Sequence, residues 1–241
     1  MSDAALGIRG PGLTSGLHEF RILDVSLIAD AAGALFLETD AILILADLHL
    51  EKGSSYASRR VFLPPYDTAA TLARLTVLVG RYAPRAVIAL GDSFHDRRAA
   101  ERIHHCDVDV LRALQAGRQW IWISGNHDPD PPENLGGEAC DEFKSGSLVF
   151  RHEPRSGASP GEIAGHLHPV ARVITARGSL RRRCFVTDDQ RCVMPAFGAY
   201  AGGLNMRDVA FKQLFGEHTP RAHVLGQDRV YPVAAKHCFG D

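Results

Sequence analysis

The pattern of apolar and polar positions predicts an α/β segment in the first half of the chain. Alternation of the two classes predicts a β-hairpin near 20–38, and the apolar runs "AILIL", "RAVIAL" and "QWIWIS" predict three buried strands. Leucines at helical spacing predict a helix that opens with Asp67 as N-cap and stops before Pro84, and residues 97–116 predict another. The polar, proline-closed stretch 51–66 is predicted to be a loop.

After about residue 146 the pattern changes to short strands joined by tight turns. A short helix is predicted near 206–215, and a final pair of strands near 222–233. A βαβαβ segment followed by mostly β structure is typical of a sandwich of sheets with helices outside, in one domain. We therefore predict a flexible N-terminal tail over 1–16 and a single domain over 17–241.

Composition narrows the class of protein. With 27 basic and 28 acidic residues among 241, the net charge of −1 does not indicate a dedicated nucleic-acid binder, although a local basic patch remains compatible with it. No apolar stretch reaches the ~18–20 residues needed to cross a bilayer, and the polar, glycine-rich beginning of the sequence does not resemble a secretory signal.

The five cysteines are odd in number and never spaced as C-x-x-C, which favours a reducing, cytoplasmic location over a disulfide framework or a zinc knuckle. Cys184 and Cys192 could face each other across a hairpin. Two free thiols are the favoured interpretation.

Polar signatures follow the predicted strands where those strands end. The first three strands lead into Asp47 with His49, Asp92 with His95, and the run Asn126-His127-Asp128. Two later strands lead into His152 and into His166 with His168. Because sites in α/β sheets gather at the carboxyl ends of strands, we expect these clusters to converge.

The residue types are Asp, His and Asn, which suit a hard or borderline divalent ion such as Mn²⁺, Fe or Zn²⁺. Seven candidate ligands exceed what one ion needs, so two ions fit better. If each pair lies on a strand, Asp47 and His49 point the same way, as do His166 and His168, although a tight bend could turn the latter pair toward different ions. Each short motif alone could be a turn or surface decoration, but all five in this order are unlike a chance pattern.

These motifs resemble the calcineurin-like metallophosphoesterase superfamily, whose pattern is D-x-H, G-D-x-x-D/H, G-N-H-D/E, a lone His and G-H-x-H. The resemblance spans residues 42–169. It implies a four-layer αββα sandwich of two mixed β-sheets flanked by helices, holding two divalent metals, with Mn²⁺ the expected pair and Fe or Zn²⁺ the alternatives.

The resemblance also implies a role for each matching residue. The first metal would be held by Asp47, His49, Asp92 and His168. The second would be held by Asp92, Asn126, His152 and His166, so that Asp92 bridges the two. A metal-bridging hydroxide would attack phosphorus, with His127 as the catalytic imidazole and Asp128 orienting it.

A narrower resemblance lies in "LILADLHLEKGSSYASRRVFLPPYDTAATLARL" together with "GDSFHD". Both are similar to the ligase-associated DNA damage response endonuclease family of the PdeM type. That likeness implies DNA as substrate, with single-stranded regions, and a functional association with an ATP-dependent DNA ligase, a helicase and an exonuclease.

His95 bears on the substrate class, because "GDSFHD" also resembles repair nucleases of the SbcD type, whereas many phosphatases of the superfamily have Asp at that position. We predict that His95 contacts His127 or the leaving group, the alternative being that it packs and caps the next helix. Asp96 is predicted to be the N-cap of that helix.

Basic residues offer two candidate substrate contacts. Arg59 and Arg60 follow the first metal motif closely enough to hold nucleic-acid phosphates. A second run comprises Arg172, Arg177 and Arg181–Arg183, for which a solvated charged face is an equal alternative. The histidines outside the motifs are interpreted as surface or packing residues: His18, His104, His105, His218, His223 and His237.

The leading hypothesis from sequence is a two-metal DNA endonuclease. A small-molecule phosphatase or nucleotide phosphodiesterase is the alternative, favoured by the near-neutral charge. A homodimer would supply a wider DNA groove, but no sequence feature shows an interface.

Overall fold

The structure is a computed structural model that describes residues 17–61, 63–128, 135–176 and 178–241. The predicted tail 1–16 and Arg177 lie outside the described residues.

The first sheet contains seven strands. They are β1 (His18–Ile22), β2 (Val25–Ala29), β3 (Leu35–Leu37), β4 (Ile42–Leu45), β5 (Ala86–Leu90), β6 (Gln119–Ile123) and β7 (Glu138–Cys140). The strands lie side by side in sequence order. Strands β1 to β4 pair antiparallel, and β4 to β7 pair parallel. The carboxyl ends of β4, β5 and β6 therefore meet at one edge of the sheet.

The second sheet is built from the rest of the chain. Its strands are β8 (Glu142–Ser145), β9 (Leu148–Arg151), β10 (Glu162–Ala164), β11 (Val170–Thr175), β12 (Gly178–Thr187), β13 (Cys192–Val193), β14 (Arg221–Leu225), β15 (Val230–Ala234) and β16 (Cys238–Phe239). The main path runs β15-β14-β12-β13-β10-β9-β8, with β11 pairing β12 and β16. Strand β10 is parallel to both β9 and β13, so this sheet is also mixed.

Helices cover the outer faces of the two sheets. They are α1 (Lys52–Ser58), α2 (Asp67–Tyr82), α3 (Ala99–Arg102), α4 (His105–Gln115) and α5 (Val209–Phe215), and a 3-10 turn follows at Ala235–His237.

Three apolar clusters fill the spaces between these layers. One lies between the sheets and includes Ile44, Ile88 and Phe185. A second joins the first sheet to α2 and α4, and a third joins the second sheet to α5. The predicted αββα sandwich is confirmed. No helix in the described part of the chain is long and apolar enough to cross a membrane.

The segment 51–66 was wrongly predicted to be a loop throughout, because Lys52–Ser58 forms α1. This helix buries the small residues Gly53 and Ser55 instead of leucines, so the usual apolar periodicity is missing. Its partner is α2, where the Asp67 carboxylate accepts a hydrogen bond from the Gly53 N–H at 3.0 Å. Asp67 was predicted to be the N-cap of α2, but it is the first residue of that helix, and the N-cap is Tyr66.

The helix predicted over 97–116 is two helices. Backbone angles at Ile103 (ψ 132°) and His104 (ψ 141°) are extended and end α3 before α4 begins. Asp96 lies two residues before Arg98, the N-cap of α3, and its carboxylate accepts from the Arg98 N–H at 2.9 Å. All five cysteines are free, and Cys192 pairs with Thr187 across the strands, not with Cys184.

Candidate metal centre

Every residue predicted from sequence to be a metal ligand lies directly after a strand at the shared edge of the two sheets. Asp47 and His49 follow β4, Asp92 follows β5, and Asn126 follows β6. His152 follows β9, while His166 and His168 follow β10. The parallel pairing within each sheet is what brings these five chain segments together.

One group of donors consists of Asp47, His49 and His168, whose ligand atoms lie within 4.8 Å of one another. The Nε2 atoms of His49 and His168 are 3.3 Å apart, and His168 Nε2 lies 3.1 Å from Asp47 Oδ1. His49 is buried and His168 is partly buried.

A second group consists of Asp47, Asp92 and His152, so Asp47 belongs to both. His152 Nε2 lies 2.9 Å from Asn126 Oδ1, 3.2 Å from His166 Nδ1 and 3.5 Å from Asp92 Oδ1. The other ring nitrogen of His152 lies 2.9 Å from the Leu90 carbonyl oxygen. A proton on Nδ1 would donate to that carbonyl and leave the Nε2 lone pair directed into the group.

Five of these donor residues have a left-handed backbone. The φ angles lie between 44° and 66° at Asp47, His49, Asp92, His166 and His168. Such conformations are costly for residues with a Cβ and concentrate at functional sites. Neither pair lies on a strand, but Asp47 and His49 do belong to one donor group, as expected. His166 faces His152 while His168 faces His49, which is the alternative that a tight bend allowed for this pair.

Two glycines allow the close approach of the segments. A Cβ at Gly125 would lie 2.2 Å from the Asp92 nitrogen and 2.5 Å from Asp128 Oδ1. A Cβ at Gly165 would lie 2.5 Å from Asp47 Oδ2. A side chain at Gly125 would displace the Asp92 and Asp128 segments, and one at Gly165 would displace the Asp47 carboxylate.

The donor set fits divalent metal ions. Burial first, and then the charge of His168 and that of Lys52, lower the pKa of His49 to about 2, so its imidazole is neutral, as metal ligation requires. Its buried Nδ1 has no hydrogen-bond partner among the described residues. Converging carboxylate oxygens and imidazole nitrogens are the chemistry of a cation site.

His127, the predicted catalytic imidazole, lies at the edge of this cluster. Its side chain is 42% exposed, and Nε2 is 3.9 Å from Asp92 Oδ2. The backbone N–H of His127 donates to Asp92 Oδ1 at 2.9 Å, which fixes the residue against the cluster. The ring can therefore reach both solvent and a substrate placed over the carboxylates.

The structure differs from the prediction that Asp128 orients His127. The Nδ1 atom of His127 lies 3.0 Å from the backbone carbonyl of His95, whereas the Asp128 carboxylate accepts from the Phe94 N–H at 2.9 Å. Burial first, with the Asp92 charge also contributing, raises the pKa of Asp128 to about 8. The Asp128 carboxylate therefore fixes the loop that follows strand β5, through its hydrogen bond with Phe94.

The basic residues predicted to contact substrate differ in their exposure and in their partners. Arg59 and Arg60 are exposed at the end of α1. Arg181 is exposed and pairs with Asp241 at 3.3 Å, while Arg183 donates to the Ala196 carbonyl at 2.7 Å. Two arginines of the run Arg181–Arg183 are therefore already bonded to other residues of the protein.

Sequence reasoning missed two residues of α1. The ring of Tyr56 lies 5.7 Å from that of His95, and the charge of Lys52 acts on both His49 and His95. The available signal was the spacing of Lys52, Tyr56 and Arg59, which is helical, but the absence of leucines concealed the helix.

Comparison with known proteins finds one matching family and similar solved structures. A family model described as calcineurin-like phosphoesterase matches residues 41–196. Among solved structures, the chain is similar to the nuclease MPE of Pseudomonas putida, with 29% identity and a TM-score of 0.72 over 90% of this chain and 100% of that one. YfcE, a phosphoesterase from E. coli, has 10% identity and a TM-score of 0.39 over 80% of this chain and 98% of that one. No curated protein matches the sequence.

Proposed function

The chain belongs to the calcineurin-like phosphoesterase family, and we propose that it is a two-metal phosphodiesterase that cuts single-stranded DNA internally. The observation that carries this proposal is the convergence of seven Asp, His and Asn donors, five of them in two overlapping groups, beside a half-exposed imidazole. The nuclease activity named for the similar Pseudomonas putida protein supports a nucleic-acid substrate.

We assign the ligands from the motif resemblance, which makes Asp92 the shared residue, whereas the two donor groups in the structure share Asp47. We propose that Asp47, His49, Asp92 and His168 hold one ion. Asp92, Asn126, His152 and His166 hold the other. When bound, two divalent ions supply an acidified water and positive charge for the phosphoryl oxygens.

The protein's own residues then position the reacting groups. A proton on His127 Nδ1 donates to the His95 carbonyl, which directs Nε2 toward the phosphodiester held over Asp92. In its protonated form Nε2 can donate to the phosphoryl group or the leaving oxygen. The His95 ring stacks against His127 and limits its rotation. Arg59 and Arg60, exposed at the end of α1, are proposed to contact DNA phosphates.

The biological setting is proposed from the narrower motif resemblance. We place the protein in DNA repair, working with an ATP-dependent DNA ligase, a helicase and an exonuclease, in the cytoplasm. Mn²⁺ is the proposed metal, with Fe or Zn²⁺ as alternatives that suit the same donors. The proposed active unit is the single domain 17–241, alone or as a homodimer.

The decisive experiment is nicking of circular single-stranded DNA by the purified protein, with Mn²⁺, Fe²⁺, Zn²⁺ and Mg²⁺ compared. Asp92→Asn should abolish nicking and lower the metal content, whereas Asp189→Asn, an exposed carboxylate that pairs with Arg221, should do neither. Attack on linear but not circular DNA would contradict an endonuclease.

The near-neutral charge favours a second candidate, a small-molecule phosphatase or nucleotide phosphodiesterase. Aryl phosphate monoester and bis-aryl diester hydrolysis, measured beside the circular-DNA assay, separate the two. Hydrolysis of the small esters without any cleavage of DNA would establish the second candidate.

A further inference from the structure

One face of helix α1 carries a lysine, a tyrosine and an arginine in a row. Lys52, Tyr56 and Arg59 are spaced i, i+4 and i+7, which places them on the same side of a helix. Arg59 is the C-cap residue, so the row runs along the whole of α1. At a rise of ~1.5 Å per residue the row is about 10 Å long. That is longer than a single phosphate group and suits several nucleotides of an extended single strand of DNA.

This row faces the candidate metal centre. The Tyr56 ring lies 5.7 Å from the His95 ring, and the His95 ring stacks on His127 with centroids 5.4 Å apart and planes 21° apart. The rings of Tyr56, His95 and His127 therefore lie in contact one after another between α1 and the metal donors. The charges of Lys52 and Arg59 both act on His95, where they add to burial in holding the pKa of that imidazole low.

Helix α1 is held in a fixed position despite its small apolar surface. The Glu51 N–H donates to the Thr68 hydroxyl at 2.9 Å, and the Gly53 N–H donates to Asp67 at 3.0 Å. On its other side, Arg102 Nε donates to the Ser54 hydroxyl at 3.0 Å. A surface already fixed in the free protein loses less conformational entropy when it binds a ligand.

We propose that Lys52, Tyr56 and Arg59 form a subsite for the DNA strand that flanks the scissile phosphate. Tyr56 stacks on the neighbouring base, and the two cations contact the phosphates on either side of it. A tyrosine flanked by cations is the arrangement that binds single strands without reading their sequence. Stacking requires an unpaired base, so the subsite selects single-stranded over duplex DNA. This inference rests on the proposed DNA cleavage.

The stacking contact is tested with Tyr56→Leu, Tyr56→Phe and, as matched control, Tyr231→Leu, since Tyr231 is exposed on β15. Binding of a fluorescent oligonucleotide is measured by anisotropy in EDTA. Tyr56→Leu should raise Kd about 5- to 150-fold, which corresponds to ~1–3 kcal/mol per stacked base. Tyr56→Phe should retain most of the affinity, and Tyr231→Leu should not change it.

Oligonucleotides with one abasic nucleotide identify the base involved. An abasic nucleotide at the stacking position should weaken binding to the wild type but not to Tyr56→Leu. 2-Aminopurine at the same position should be quenched by the wild type only. In the presence of metal, Tyr56→Leu should lose more activity on DNA than on a bis-aryl diester, which has no base to stack.

The cations are tested through salt dependence. Lys52→Gln and Arg59→Gln should each reduce the slope of log K against log salt by about 0.7. Lys236→Gln, an exposed lysine in the 3-10 turn, should leave the slope unchanged.

Two outcomes overturn the subsite while the proposed function stands. One is a wild type that binds and nicks DNA while Tyr56→Leu binds equally well or shows the same abasic penalty. The other is an equal loss for Tyr56→Leu on DNA and on the bis-aryl diester, which would mean that Tyr56 only supports His95. A wild type that neither binds nor cuts DNA overturns the proposed function itself.

Discussion

The Nδ1 atom of His127 lies 3.0 Å from the backbone carbonyl oxygen of His95, and the two rings stack. A carbonyl oxygen can only accept, so Nδ1 carries a proton in this arrangement. The other nitrogen, Nε2, is then the one that faces Asp92 at 3.9 Å. His95 therefore positions His127 through both its backbone and its ring.

Replacing His127 should affect substrates according to their leaving groups. We expect His127→Ala to lower the rate of DNA cleavage by about 10²–10⁴-fold, the usual contribution of a general acid. A bis-nitrophenyl diester has a leaving group that departs without a proton, so His127→Ala should lower the rate of hydrolysis of this ester by a smaller factor. Steady-state kinetics on both substrates measure the difference, with His237→Ala, an exposed histidine, as control. Equal losses on the two esters would argue against proton donation by His127.

Replacing a glycine by alanine should have opposite effects on stability at the crowded metal centre and in helix α2. Gly125→Ala would place a Cβ 2.2 Å from the Asp92 nitrogen, so we expect a loss of about 1–3 kcal/mol in unfolding free energy together with loss of bound metal. Gly80→Ala lies within α2 with nothing within 4 Å, and should stabilise the protein by about 0.5–1 kcal/mol. Urea denaturation and elemental analysis of the metal give both results. A Gly125→Ala protein with normal metal content would contradict the close approach.

A buried ion cluster supports the segment that carries His152. Glu162 is fully buried and lies 3.1 Å from Arg151, the residue before His152, and 3.4 Å from Arg191. Glu162→Gln would leave both buried guanidinium groups without this carboxylate, so we expect a loss of about 3–5 kcal/mol in stability. Glu142→Gln, which removes the more exposed partner of Arg151, should cost less. Similar losses for the two variants, measured by denaturant unfolding, would show that burial does not set the difference.

The sequence predicts the strand ends but not the backbone that follows them. The apolar runs that form β4, β5 and β6 are fully buried or nearly so, so periodicity identifies them and places Asp47, Asp92 and Asn126 at one edge. The left-handed turns at Asp47 and His49 leave no trace in propensity, because tertiary contacts impose them against local preference.

Helix α1 shows a second limit of sequence reasoning. Its buried residues are Gly53 and Ser55, and its stability depends on hydrogen bonds to Asp67 and Thr68, which lie beyond the next turn. Residue pattern alone detects helices that bury apolar stripes, as α2 does with its leucines. A helix held by polar contacts to its neighbour can be recognised only once that neighbour is in place.

His223 should make the fold sensitive to acid independently of the metal centre. It is 3% exposed, its ring stacks on Phe20 at 4.6 Å, and its Nδ1 lies 2.9 Å from His18 Nε2. Burial first, with the charges of His18 and Arg221 adding, lowers the pKa of His223 from 6.5 to about 4. Between these values the unfolded chain binds a proton that the folded protein does not, so this contribution to stability is complete above pH 6.5 and is lost as the pH falls toward 4.

We expect His223→Phe to reduce the difference in unfolding free energy between pH 7.5 and pH 4.5 by on the order of 2–3 kcal/mol. His237→Phe, at an exposed position in the 3-10 turn, should leave that difference as in the wild type. Because each variant is compared with itself at two pH values, a constant packing cost of the phenylalanine cancels, and an unchanged pH dependence in His223→Phe would show that His223 is not a source of the acid sensitivity.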